Sequence, residues 1–147
     1  SVMPVIRGQA DEVRDELFTE NTYHAAYEPM RSVRTRRYCY VRRFDHRDKA
    51  VLPNCDASPS KDLWMASGWV DQPRHQEMLF DLVFDPVEVN NVADVPQYAD
   101  VLADLRGRLD AYMKDTDDPV LGELPVPRPE DSIATDPDEI DPKGKRV

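Results

Sequence analysis

Four residues near the start of the chain could do chemistry together: Glu20, Tyr23, His24 and Arg31. A carboxylate, an imidazole and a guanidinium brought together by one loop could bind a polyhydroxylated, anionic ligand. Arg grips a sulfate or carboxylate bidentately, while Glu and His hydrogen-bond hydroxyls or an amine. The structural alternative is that His24 caps the loop and Arg31 pairs with Glu20 or Glu28. Just downstream, Arg34, Arg36, Arg37, Arg42 and Arg43 crowd among Tyr38, Tyr40 and Phe44. Such a strip reads either as a polyanion-binding strand or as an ordinary strand whose arginines meet cross-strand carboxylates.

No complete catalytic constellation accompanies them. The chain has no Gly-rich phosphate loop, no paired-His metal motif and no Gly-x-Ser-x-Gly elbow. Cys39, Cys55, His24, His46 and His75 include no Cys-x-x-Cys or His-x-x-x-His pair, so a zinc site finds little support. Two cysteines do not make a disulfide framework. Reduced thiols are the expectation, with a single Cys39–Cys55 bridge as the alternative.

The balance of charge narrows the partners. The formal net charge is -10, with 29 acidic residues around one basic strip. A nucleic-acid binder needs a basic footprint that releases counterions, so nucleic acid is not expected. A small anion remains compatible, because a local Arg cluster can hold one sulfate within an acidic protein. The 147 residues are enough for one domain with its own core. No apolar run approaches membrane-spanning length, so no membrane partner is expected. The opening residues, "SVMPVI", lack the apolar stretch of a signal peptide, and a processed chain or excised fragment is expected.

Stepping along the chain, "LFTENTYH" reads as a strand entering a loop. Pro29 keeps Glu28 out of helical geometry, so "YEPM" reads as a break. Met30 to Phe44 reads as a long strand or hairpin. One face carries Val33, Thr35, Arg37, Cys39 and Val41, and is expected to be the core side. The other carries Arg34, Arg36, Tyr38, Tyr40 and Arg42. "DHRDKAVLPNCDASPSKD" is loop-like. "LWMASGW" is a short helical turn or strand, and "EMLFDLVFDP" is a strand closed by Asp85-Pro86. Tyr98, Val101, Leu102, Leu105, Leu109, Tyr112 and Met113 recur at helical steps, which predicts an amphipathic helix of about five turns. Gly107 inside it suggests a close approach. From Pro119 onward six prolines and no aromatic residue predict an extended tail, ordered only where it drapes over a surface.

The order of these motifs resembles the C-terminal part of sulfatases, most closely the heparan N-sulfatase (sulfamidase) type. The matching residues are Thr19-Glu20, Tyr23-His24, Tyr27, Pro29-Met30-Arg31 and Val33-Arg34-Thr35. Further on, "LFDLVFDPVEVNNVAD" resembles the closing signature Glu-Leu-Tyr-Asp-Leu-x-x-Asp-Pro-x-Glu-x-x-Asn-Leu-Ala, through Leu79, Asp81, Leu82, Asp85, Pro86, Glu88, Asn91 and Ala93. The resemblance implies an α+β fold, with a small antiparallel sheet of about four strands packed by one long C-terminal helix. Residues 1–22 would end the large N-terminal catalytic domain, 23–118 would form the C-terminal subdomain, and 119–147 a Pro-rich acidic tail.

The family's nucleophile is a formylglycine from a Cys/Ser-x-Pro/Ala-x-Arg motif, acting beside a calcium ion. This chain lacks that motif, since Cys39 has Arg43 at the right offset but Val41 where Pro or Ala belongs. No cofactor is therefore expected in this chain. Calcium and formylglycine are expected only in the missing N-terminal domain, and the chain alone is expected to be inactive. The resemblance makes Glu20, His24 and Arg31 candidates for contact with a sulfated saccharide. It leaves two rivals: a non-catalytic anion- or carbohydrate-binding module, and a structural α+β domain that dimerises through exposed strands at Val5, Ile6, Leu17 and Phe18. Family members are often periplasmic, secreted or lysosomal, and the compartment is left open.

Overall fold

The computed structural model describes residues 1–147. Four strands form one antiparallel meander in the order β1 (Glu16–Tyr23), β2 (Tyr27–Thr35), β3 (Tyr38–Arg43) and β4 (Glu77–Asp81). Three helices accompany them: α1 (Met3–Ile6), α2 (Pro59–Ala66) and the long α3 (Ala99–Asp115). The expected α+β architecture, four antiparallel strands under one long helix, is the one that forms.

The turn at Arg36 and Arg37 decides which side chains face the core. In a single strand Val33 and Tyr40 would point to opposite faces, because seven is odd. A two-residue hairpin turn separates β2 from β3 and pairs them directly, so they share one face. Both are fully buried. Tyr40, expected on the solvent face, is thus a core residue. The apolar row on that face runs Phe18, Val33, Tyr40, Leu79, each paired with the next.

Helix α3 lies on this row. Its buried residues are Leu102, Leu105, Leu109 and Met113, as the helical spacing predicts. Removing each such side chain from water contributes about 2 kcal/mol. Phe18 stacks on Tyr112 with ring centroids 4.1 Å apart, so it is part of the core rather than an exposed edge. Charged rows flank the apolar one. Arg42 reaches Asp110 of α3 at 2.9 Å, Glu77 pairs with Arg106, and Glu16 pairs with Arg108 at 3.2 Å.

Several local readings change. Pro29 lies inside β2, because the extended geometry it imposes on Glu28 is the geometry of a strand. Its missing N–H falls where the β1–β2 register shifts between Asn21 and Tyr23. There the Asn21 side-chain amide donates to the Glu28 carbonyl at 2.7 Å in place of a ladder bond. The β1 strand runs through residues 22 and 23 and pairs with β2 from Glu16 to Tyr23. The strand signal in "EMLFDLVFDP" ends at Asp81, where the amides of Phe84 and Asp85 turn back onto the Asp81 carbonyl. The stretch read as loop gives way at Pro59 to α2, whose N-cap Ser58 accepts from the Lys61 amide at 3.2 Å. Gly107 makes no close approach, since a methyl group added there would meet no atom within 4 Å.

The end of α3 delivers a carboxylate to the sheet. Asp117 takes the left-handed conformation at φ 50. The Asp118 amide donates to the Met113 carbonyl and the Asp117 amide to the Lys114 carbonyl, the two bonds of a Schellman cap. That cap places Asp118 against Arg31, 87 residues away in sequence. Both side chains are 1% exposed. Burial pushes the Asp118 carboxyl up, but hydrogen bonds from Arg31 and the Val120 amide outweigh it, and the net pKa lies below the ordinary value.

The tail does drape over a surface. Tyr23 Oη donates to the Val126 carbonyl, the Val126 amide donates to Tyr27 Oη, and the Thr135 amide donates to the Ala25 carbonyl. Lys61 is 3% exposed, and its Nζ donates to the carbonyls of Leu52, Cys55 and Ile140. That ammonium ties α2 to the end of the tail.

Asp118→Ala strands a buried guanidinium and is expected to cost about 3–5 kcal/mol in urea unfolding, whereas Arg31→Met with Asp118→Leu recovers most of the loss. Because the Asp118 pKa is lowered on folding, its stabilising share is complete above about pH 4 and fades as pH falls through the folded value, so the Asp118→Ala penalty shrinks in acid. An undiminished penalty at pH 2 contradicts this account. Gly107→Ala is expected to raise stability by up to about 1 kcal/mol, read as a higher Tm.

Candidate ligand-binding site

Arg31 and Glu20 sit directly opposite each other on β2 and β1. The pair therefore belongs to the ladder rather than to a loop, and only His24 to Ala26 form the turn between the strands. Every N–H of the Arg31 guanidinium is taken. Nε and Nη2 form a fork onto Asp118, at 2.5 and 2.7 Å. Nη1 donates to the carbonyls of Asn21 and Met30, and Nη2 also donates to Thr22 Oγ1. Arg31 thus spends its donors holding β1, β2 and the end of α3 together.

Glu20 is placed differently. Its carboxylate lies 3.8 Å from Arg31 Nε, beyond hydrogen-bond range, and its side chain is 64% exposed. His24 is exposed at the hairpin tip, where its amide donates to the Ala26 carbonyl. Glu28, the other partner considered for Arg31, lies three positions away on the same strand and so on the opposite face. It binds Arg43 and Arg74 instead, at 3.0 and 2.8 Å.

A shallow cleft of about 470 Å³ opens beside the Glu20–Arg31 pair. Its walls include Glu20, Tyr23, Arg31, Pro119, Val126 and Pro127. Two of the three candidate residues thus meet in one cleft, with His24 outside its lining. Tyr23 is held there by its bond to Val126 and packs against Tyr27 with ring centroids 4.9 Å apart. Burial and the neighbouring Tyr27 push the Tyr23 phenol up, opposed by the charge of Arg128. One wall is therefore made of residues from the tail, which was expected to be ordered only where it drapes over a surface. A carboxylate acceptor, an aromatic ring and proline surfaces suit a sugar-sized ligand, since such rings present apolar faces and hydroxyl edges.

The arginine strip is neutralised within the chain. Arg34 pairs with Glu88, Arg36 with Glu12, Arg37 with Asp81, Arg42 with Asp110 and Arg43 with Glu28. The strip is thus an ion-paired scaffold rather than a free polyanion surface.

A formylglycine and calcium centre does not fit the residues present. Cys39 is a free thiol, 6% exposed, on β3, and burial pushes its pKa up. Cys55 is also free. No three His, Cys, Asp or Glu side chains converge on a point that could hold a metal.

No family model matches the chain. It is 26% identical to the ulvan-active sulfatase of Formosa agariphila over an alignment 154 positions long, spanning 99% of this chain and 30% of that protein. Among solved structures it superposes on BT1596, a 2-O GAG sulfatase, with a TM-score of 0.53 and 25% identity over 80% of this chain and 20% of that one. It also superposes on BT4656, solved with its substrate D-glucosamine-2-N,6-O-disulfate. There the TM-score is 0.55 over 84% of this chain and 21% of that one, and at 17% identity the likeness is one of fold. The chain spans less than a third of the length of each of these proteins. Across nearly its whole length the chain is similar to part of a sulfatase, and its α+β fold is that of a sulfatase C-terminal subdomain.

Proposed function

We propose that this chain is the C-terminal, substrate-binding unit of a sulfatase acting on sulfated saccharides, with nucleophile and calcium supplied by an N-terminal domain. The observation that carries the reading is the cleft at the β1–β2 hairpin, where the exposed Glu20 stands beside a fully engaged Arg31. Glu20 is the direct contact, accepting from a sugar hydroxyl or amine. His24 reaches the ligand from the hairpin tip. Arg31 positions Glu20 by holding the two strands in register, and does so without a free donor. The sulfamidase type, with an N-sulfated amino sugar as substrate, is the finer form of this proposal, supported by the run Tyr27, Pro29, Met30, Arg31.

The surface supports a covering partner. Val83, Phe84, Val87 and Val89 are each at least 64% exposed within one short loop after β4. Clustered apolar side chains of this kind mark surfaces that another protein body covers. We assign that body to the N-terminal domain. In its absence the same loop would favour self-association of the isolated chain.

A rival remains, in which the chain is a stand-alone carbohydrate-binding module. The two differ in whether a Cys/Ser-x-Pro/Ala-x-Arg motif occurs upstream in the same reading frame. In either case the 147-residue chain is expected to release no sulfate from an aryl sulfate or from N-sulfoglucosamine, as followed by ion chromatography. Measurable turnover would contradict the proposal. Glu20→Ala is expected to weaken saccharide binding about tenfold, the cost of one charged hydrogen bond, with the Tm unchanged.

A further inference from the structure

On the sheet face turned away from α3, two guanidiniums meet on one oxygen. Glu28 and Met30 lie two apart on β2 and share that face, and Arg43 of β3 pairs with Met30. Arg43 Nη1 and Arg74 Nη2 both donate to Glu28 Oε1, while the Asn54 side-chain amide donates to Glu28 Oε2 at 2.9 Å. All four side chains border a cleft of about 260 Å³, whose walls also include Trp69 and Met78.

The long connection between β3 and β4 brings these groups together. Helix α2 gives way at Gly68, whose φ of 85 suits a residue without a Cβ, to a single turn at Trp69–Asp71. Arg74 follows, just before β4. Its side chain is 5% exposed, and Nη1 donates to both oxygens of Asp45 at 2.9 Å. Arg43 spends Nη1 on Glu28 and Nε on the His75 carbonyl, at 3.2 Å. Arg74 Nε and Arg43 Nη2 are left without an acceptor. The side-chain atoms of the chain that are both sealed and unpartnered are Arg47 Nε and Gln76 Oε1, so these two donors are open to solvent. Arg74 is otherwise enclosed, and its open edge is the one that lines the cleft.

The charges lining the cleft are two guanidiniums and one carboxylate, with the exposed imidazole of His75 beside them. Asp45 is 3% exposed and lies outside the lining. Burial and the charge of Arg74 pull the Arg43 guanidinium below its ordinary range, against the opposing effect of Glu28. Glu28 thus holds two like charges together without cancelling both. Such a cation pair is preorganised, and partial burial strengthens its pull on an anion.

We infer that this cleft is an oxyanion-binding site, in which Arg43 and Arg74 donate to one sulfate or carboxylate group and Trp69 flanks whatever carries it. Guanidinium N–H groups suit such groups because they meet two oxygens at once. The site lies on the opposite sheet face from Arg31, and it does not rest on the hairpin cleft being a substrate site.

The chain has two tryptophans, so Trp64→Phe leaves Trp69 as the reporter inside the cleft. This variant is titrated at constant ionic strength with sodium sulfate, glucosamine 6-sulfate and unsulfated glucosamine. A saturable change in Trp69 fluorescence is expected from a sulfate-bearing ligand, and none from glucosamine or from chloride alone. A tighter response to the sulfated sugar than to free sulfate makes the site one for saccharide-borne oxyanions, and equal responses make it one for the free ion. Arg74→Lys keeps the charge that Glu28 and Asp45 need but removes the Nε donor, and is expected to weaken binding about tenfold with the circular dichroism unchanged. Arg43→Gln should weaken it similarly, while Arg36→Gln, at the other end of the sheet, should leave it as it is. No saturable response to either sulfate-bearing ligand, or wild-type affinity in both Arg74→Lys and Arg43→Gln, overturns the inference. The signal is local to this cleft, so the outcome is separate from that of saccharide binding at the hairpin.

Discussion

A guanidinium that is 1% exposed cannot be left without an anion, and this constraint organises the molecule. Arg31 sits at the end of the sheet's helix-facing side, in a row with Glu20, Arg42 and Glu77. Its counter-charge comes from Asp118, which the Schellman cap of α3 carries into place. Helix, sheet and the start of the tail therefore meet at one fork of hydrogen bonds. Their relative placement also rests on the apolar row beneath α3 and on the ion pairs of Asp110, Arg106 and Arg108 with the sheet.

The same economy of charge explains how an acidic chain carries so basic a segment. Each arginine from Arg31 to Arg43 is matched by a carboxylate from another part of the chain, among them Glu12, Glu88, Asp110 and Asp118. The exposed pairs contribute little individually, on the order of 0–1 kcal/mol each. Their effect is to specify: they penalise registers and helix positions that leave like charges together. A ligand site built on this scaffold must then draw its free charges from elsewhere. Glu20, exposed and outside hydrogen-bond range of Arg31, is one such charge.

What could be read from the sequence follows from the range of the interactions involved. The stripe Leu102, Leu105, Leu109, Met113 is a local periodicity, and it forms the helix it predicts. The four-stranded α+β architecture was implied by the resemblance to sulfatases, which rests on the order of motifs rather than on any one segment. The faces of β2 and β3 were misassigned because two residues, Arg36 and Arg37, make a turn and invert the parity of everything after them. Neither is a Gly, Asn or Asp, the usual marks of such a turn. Of the candidate site, Glu20 and Arg31 were legible as chemistry, and they are indeed neighbours. The division of labour between them was not, because Asp118 lies 87 residues away and no local spacing joins it to Arg31. The tail's part in the cleft was hidden for the same reason: a proline-rich run states its stiffness but not what it leans on.

On the function proposed above, ligand contact belongs to the hairpin cleft and the tail wall, while the arginine strand is structural. Amide chemical shifts of the chain, followed by NMR during titration with a sulfated glucosamine, test it most directly. The account predicts saturable shifts at Glu20, Tyr23, His24, Val126 and Arg128, with Arg34, Arg36, Arg37 and Arg42 unmoved. Shifts concentrated along residues 34–43, with the hairpin and tail silent, would contradict it.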